Sequence, residues 1–264
     1  TEQATAVAGN LVEAFGQAHR VTGQMVENAI RLEKAYGMSA EAATGLVENM
    51  DRANQSATAF METVGKKSQT AFVSTSLVMR DLASQGQKIA MYGERATDAM
   101  TNMAIVAAKA GTSIKAFEGM KDAFGDVENI AESTGKMAAR FGADMVQKLG
   151  TAQELYLLNY KGEEGREEIT KRITKMLSDQ FDIKEGIGLV DAKGKAVQEG
   201  DVLLLSKSLG ISEEMVARLT EQGDETKKLA KLKKTDFKAW EAEVAKRAKK
   251  TKKDETELQR QNKL

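Results

Sequence analysis

Proline is absent from all 264 residues of this chain, and 22 glycines supply the interruptions instead. Inside a helix proline costs about 3 kcal/mol and glycine about 1 kcal/mol, so the chain bends between helices without being barred from helix at any point. Its apolar residues keep the helical period. Between residues 77 and 130, Ala96, Met100, Met103, Ala107 and Ala110, then Ile114, Phe117, Met120, Phe124, Val127 and Ile130 recur three and four positions apart. That spacing lays one stripe along one helix face. Glycine divides the stretch into predicted helices over 82–92, 94–110 and 113–124, with breaks at Gly93 and Gly111.

The N-terminal segment repeats every seven residues. Ala8, Phe15, Thr22, Ala29 and Tyr36 fill one register and Ala4, Leu11, Ala18, Met25 and Leu32 the other, the pattern of a coiled-coil seam, so residues 1–36 are expected to form one helix. Gly9, Gly16 and Gly23 keep the same interval beside it, which suits either a close backbone approach or a sequence tolerant of glycine. Gly37 ends this helix. Ser39 is placed to cap the next, and Glu41 puts negative charge where the helix dipole favours it. The second helix, over 39–64, continues the apolar stripe, and the short link predicts an antiparallel hairpin. Leu11, Phe15, Met25, Leu32, Leu46, Met50 and Phe60 are the residues expected to line an oligomer seam.

Further helices are expected over 126–141 and 143–160, the second with Tyr156 and Tyr160 among Leu155, Leu157 and Leu158 as buried core. Another begins at Glu163, Glu164, Glu167 and Glu168 and carries Ile169, Ile173 and Leu177 beneath. Clustered carboxylates can serve acid–base chemistry, but at a helix start the dipole accounts for them. Between 183 and 197 the pattern changes: Ile187, Leu189 and Val190 lead to a turn at Asp191, Ala192, Lys193 and Gly194, with Lys195, Ala196 and Val197 after it, a small hairpin. Helix resumes at Asp201, stops at Gly210 and restarts after Ser212, where Ile211 and Val216 can form a hydrophobic staple. From Asp224 a long charged helix carries a thinning stripe through Phe237, Trp240, Val244 and Ala248. The fold class is all-α: glycine-punctuated helical hairpins and coiled-coil-like helices with one small β-hairpin-like connector. Three parts are expected: an N-terminal helical hairpin over 1–68, a central multi-helix domain over 69–223 and a charged basic C-terminal helix over 224–264.

Several function classes find no support in these residues. Cysteine is absent, which excludes disulfides and thiolate metal sites, and His19 is the only histidine and is read as solvated or packed. No phosphate-cradling glycine loop followed by Lys-Ser or Lys-Thr occurs, no enzyme activity is expected, and no metal or cofactor is implied. No stretch approaches the roughly 18 apolar residues that span a bilayer. The chain starts without methionine or a basic, apolar leader, inside a helical pattern, which suggests a segment of a longer polypeptide. The 39 basic and 39 acidic residues balance to zero, yet lysines crowd the end, so everything before the tail is net acidic. Lys246, Arg247, Lys249, Lys250, Lys252 and Lys253 are the candidates for contact with nucleic acid or an anionic surface. A solvated face is their default reading, because Trp240 is the only nearby ring suited to base stacking, and direct nucleic-acid binding is not expected.

The order of these elements resembles that of tape-measure proteins of long-tailed bacteriophages, in particular those of contractile tails. The residues that carry the likeness are Gly37, Met38, Ser39, Ala40 and Glu41 near one end, Leu209, Gly210, Ile211, Ser212, Glu213 and Glu214 near the other, and between them Ala107, Ala108, Lys109, Ala110, Gly111, Thr112 and Ser113. After Val127 the chain is more polar than that family, at Glu132, Ser133, Thr134, Gly135 and Lys136. The resemblance implies a virion protein, present in host cytoplasm during assembly, that sits in the tail tube, fixes tail length and leaves ahead of the DNA at infection. It implies self-association, often as a trimer, contact with tube and baseplate hub proteins, and an encounter with the host membrane. Two other classes fit the same inert helices: a coiled-coil adaptor and a membrane-active helical segment.

Overall fold

The computed structural model describes residues 2–184 and 187–261, with the side chains at 92, 94–96, 252 and 254–261 outside that description. Helical spacing and glycine breaks become fourteen α-helices and one two-stranded sheet among the described residues, the all-α architecture expected. The chain divides into two units, residues 1–108 with 243–264, and residues 109–242.

In the first unit, α1 (Glu2–Phe15) stops at Gly16, which adopts φ +67°. A 3-10 turn over Ala18–Arg20 follows, and α2 (Gly23–Tyr36) begins where the Thr22 hydroxyl accepts a hydrogen bond from Met25 N at 3.3 Å. The single helix expected over 1–36 is therefore two. A left-handed glycine and a side-chain cap satisfy the chain ends locally, and that outweighs an uninterrupted seven-residue repeat. Gly37, at φ +63°, closes α2, and Ser39 caps α3 (Ala40–Arg52) by accepting from Ala42 N at 3.2 Å. The next helix is also split. Asn54 takes φ +53°, a conformation its short amide tolerates, and Ser56 caps α4 (Ala57–Thr70). Gly65 to Ser68, expected as a boundary, thus lie inside α4.

Helices α1, α2 and α3 pack on one another, and α5 (Thr75–Ala83) packs on α2, α3 and α4. Next comes α6 (Gly86–Lys109), kinked at Gly93 (φ +72°, ψ −159°) as the sequence predicts. Lys67 on α4 pairs with Asp98 on α6 at 2.7 Å, and Gln55 donates to the Thr97 hydroxyl at 3.2 Å.

The second unit starts with a 3-10 turn at Ile114–Phe117 and α7 (Gly119–Ala123), in place of the one helix expected over 113–124. At the start of α7 a Cβ on Gly119 would lie 2.7 Å from the carbonyl oxygen of Gly210, so the two glycine backbones touch there. Asp126 caps α8 (Val127–Phe141) through Glu128 N and Asn129 N at 2.9 and 3.0 Å. The helix expected over 143–160 is α9 (Ala143–Gln147) and α10 (Ala152–Tyr160), separated by Gly150 and by a reciprocal cap between Thr151 and Glu154. Then come α11 (Glu163–Gln180), β1 (Phe181–Lys184), β2 (Gly188–Asp191), α12 (Glu199–Leu209) and α13 (Glu213–Thr235).

The β pairing is antiparallel with Phe181 opposite Asp191, so the main ladder lies upstream of the predicted hairpin. The Asp191 to Gly194 turn is present and folds Ala196 back onto Val190 as a single bridge. Around α11 and α13, the most extensive helix pair of this unit, Met120, Phe124, Ile169, Ile173, Leu177 and Leu219 are fully buried. The boundary expected after Gly223 falls within α13, where Gly223 rests directly on Ser178. Finally α14 (Phe237–Gln261) belongs to the second unit up to Ala242 and to the first from Glu243.

Candidate functional site

The residues expected to line an oligomer seam are drawn into the interior of the first unit. Leu11, Leu32, Leu46 and Met50 are at most 1% exposed and Phe60 is buried, while Phe15 and Met25 are half-buried at the edge. In this folded form they join α1, α2, α3 and α4 of one chain, so the heptad pattern serves a contact within the chain. Gly9 and Gly23 have no atom within 4 Å of where a Cβ would stand, so no backbone approaches them, and of the two readings of that repeat tolerance of glycine fits.

The predicted core around Tyr156 is also redistributed. Leu155 is fully buried, but Leu157 is half exposed and Tyr160 is 83% exposed, stacked on Tyr156. A nine-residue helix can bury only one face, and here Asn159 secures it by donating to the carbonyls of Lys121 and Phe124, both at 3.0 Å. Three of the glutamates that open α11 are engaged by basic side chains: Glu163 is buried against Arg166, and Lys171 and Arg172 pair with Glu167 and Glu168. His19 is exposed, and no group of three metal-ligating side chains occurs among the described residues.

The basic candidates fall on one helix. Lys246, Lys249, Lys250 and Lys253 are exposed, at intervals of three and four residues along α14. Arg247 faces another way and pairs with Glu243 at 3.0 Å. The side chain of Lys252 lies outside the described residues. Opposite the lysines, Val244, Ala248 and Thr251 are half-buried, and the Thr251 hydroxyl donates to the Phe72 carbonyl at 3.1 Å. At the start of α14 the Trp240 ring is occupied, by Phe237 with ring centroids 5.1 Å apart and by the Lys233 ammonium 5.1 Å from its centroid.

A charged cluster that sequence reading missed lies where α11, β1 and α13 meet. Asp179 accepts from Lys148 at 3.0 Å and from Lys227 at 2.7 Å. Burial acts to raise its pKa, but the hydrogen bonds from Lys227 and Lys148 hold it below the usual carboxylate range. Asp224 behaves in the opposite way. Burial, then a hydrogen bond with the Asp182 carboxyl and repulsion from it, push Asp224 up to about 6, against the weaker pull of Lys227 and Lys228. One of its oxygens, Oδ2, is sealed from water without a hydrogen-bond partner. The only sequence signal was an aspartate directly after Gly223, the glycine on which the helix crossing is built.

Comparison with known proteins adds no relative: no family model, no curated protein and no solved structure matches this chain.

Proposed function

We propose that this chain is a non-enzymatic structural segment of a bacteriophage tail tape-measure protein, which occupies the tail-tube lumen, sets tail length during assembly and leaves ahead of the DNA at infection. The observation that supports this reading is how the helices are interrupted. Gly16, Gly37, Gly93, Gly111 and Gly210 break helix through left-handed backbone, and there is no proline. Within a helix glycine costs about 1 kcal/mol relative to alanine and proline about 3 kcal/mol, so glycine breaks leave a continuous helix open to the backbone where proline breaks would not.

One sequence thus suits both the folded units and an extended helical form inside a tube. In the extended form, Leu11, Leu32, Leu46 and Met50 are released from the interior and meet their equivalents in further copies, giving the trimer that the heptads favour. Tube and hub proteins are the expected partners, and the host membrane is met only on exit.

The test uses the phage that encodes the chain. At 1.5 Å per helical residue, an in-frame deletion of 109–242 shortens the tail by up to about 200 Å, and a duplication lengthens it by a similar amount, as read by electron microscopy. Tails of unchanged length in both variants would refute the ruler.

A further inference from the structure

Two features hold the α5 region in an unfavourable conformation, and a third keeps it there. The first is the turn before the helix. Left-handed backbone at a helix end ordinarily falls to glycine or asparagine, and α3 and α12 close on Asn54 (φ +53°) and Gly210 (φ +63°). Helix α4 closes instead on Phe72 at φ +57°, with the Val73 N–H donating back to the Ser68 carbonyl at 3.0 Å. A bulky side chain is strained in that region. The second is Arg80, on α5 itself. Arg140 and Arg166 both turn the Nε and Nη2 edge of the guanidinium to a carboxylate, on Asp201 and Glu163. In Arg80 the same two nitrogens are sealed from water and have no hydrogen-bond partner. Its own helix offers no carboxylate, since Ser76, Leu77, Ala83 and Ser84 stand three and four residues away. An arginine cannot shed its charge to ease this. The third feature is Thr251 on α14. Its hydroxyl donates to the Phe72 carbonyl at 3.1 Å and also lies 3.0 Å from the Arg247 carbonyl, so it keeps an acceptor on its own helix when it lets Phe72 go.

We propose that α5 is a releasable clasp on the first unit, strained at Phe72 and Arg80 and caught by Thr251 of α14. Closed, it packs on α2, α3 and α4 with Val78, Met79 and Leu82 fully buried. Opened, Phe72 returns to ordinary backbone and the Arg80 fork reaches water. A helix of nine residues does not persist without packing, so α5 unwinds as it lifts. Apolar burial favours the closed form and the two strained groups oppose it, which leaves the balance to the catch. Movement of α14 away from Phe72 frees the turn and uncovers the faces of α2, α3 and α4 that α5 covers. The strain is concentrated at this place. Among the described residues Phe72 and Asn54 are the non-glycine residues at positive φ, and Arg80 is the basic side chain with sealed, unpartnered nitrogens.

The clasp stands apart from the tape-measure reading, and an unchanged tail length would leave it untouched. Its test is amide hydrogen exchange of the full chain at neutral pH, read by mass spectrometry. Amides of α5 are expected to exchange at least about tenfold faster than those of α3, because local opening precedes global unfolding. Arg80→Met keeps an unbranched stem and removes the charge; it is expected to slow exchange in α5 at least about fivefold and to leave α3 little changed. Thr251→Val keeps the shape and removes the donor; it is expected to speed exchange in α5 at least about threefold. The opposite signs separate a clasp from ordinary packing, in which replacing either residue would loosen the helix. Unchanged or faster α5 exchange in the Arg80→Met variant, or its failure to fold, would overturn the proposal. So would a parent α5 as well protected as α3, or a Thr251→Val variant indistinguishable from the parent.

Discussion

Asp224 is the residue at which fold and solution conditions meet most directly. Its carboxyl titrates ordinarily near 3.8 and is pushed up to about 6 in the folded unit, so the folded chain holds that proton more tightly than the unfolded one. Stability from this group is complete below pH 4 and is lost as pH rises through 6; at neutral pH an ionised Asp224 faces Asp182 at a cost. Asp224→Asn is therefore expected to raise stability at pH 7.5 by about 1 kcal/mol, a modest figure because solvent screens the oxygen turned toward Lys227. The gain should vanish at pH 4.5. Thermal melts at the two pH values decide: an equal effect at both would mean the pair is not the cause. Asp179 slopes the other way, since its pKa is depressed, and its contribution is lost as acid protonates it.

At the scale of elements, the glycines divide into two kinds that the sequence does not separate. Those at Gly37, Gly93 and Gly111 end or kink helices through positive φ, a local property of the chain, and reading them as breaks succeeds; Gly210 does so too, but its backbone also lies against Gly119. Gly165 is different. It sits inside α11, and a Cβ there would overlap the carbonyl of Leu158 on α10. Gly165→Ala is expected to destabilise residues 109–242 by more than about 2 kcal/mol, because backbone rather than a movable side chain must give way. Gly135→Ala, at a helical glycine with open space around it, should instead stabilise slightly. Chemical denaturation of the two variants tests the contrast, and similar midpoints would show that the α10–α11 crossing tolerates separation. Helix ends were legible in the same selective way. The caps at Ser39 and Ser212 were readable because each hydroxyl and the backbone N–H it accepts from are three residues apart. The breaks at Asn54 and at Gly150 to Thr151 were not, because the apolar stripe runs on across them.

For the whole molecule, the division into units crosses the chain order. The first takes residues from both ends, whereas the second, 109–242, is one continuous segment with its own buried centre of Met120, Phe124, Ile173 and Leu177. Expressed alone, 109–242 is expected to be helical and to unfold in one cooperative transition followed by far-ultraviolet circular dichroism; a sloping melt without a transition would show that it depends on the rest. The sequence by itself determined that the chain is helical, where glycine interrupts it, which residues are apolar on each helix and that lysine accumulates toward the end, since all of these are properties of a dozen neighbouring residues. Only the tertiary structure decided that the heptad residues Leu11, Leu32, Leu46 and Met50 are buried where α1, α2 and α3 of one chain pack, that Tyr160 lies in solvent, and that Asp224 stands against Asp182. Those facts depend on which helix faces which, and periodicity marks a face as apolar without naming what will cover it.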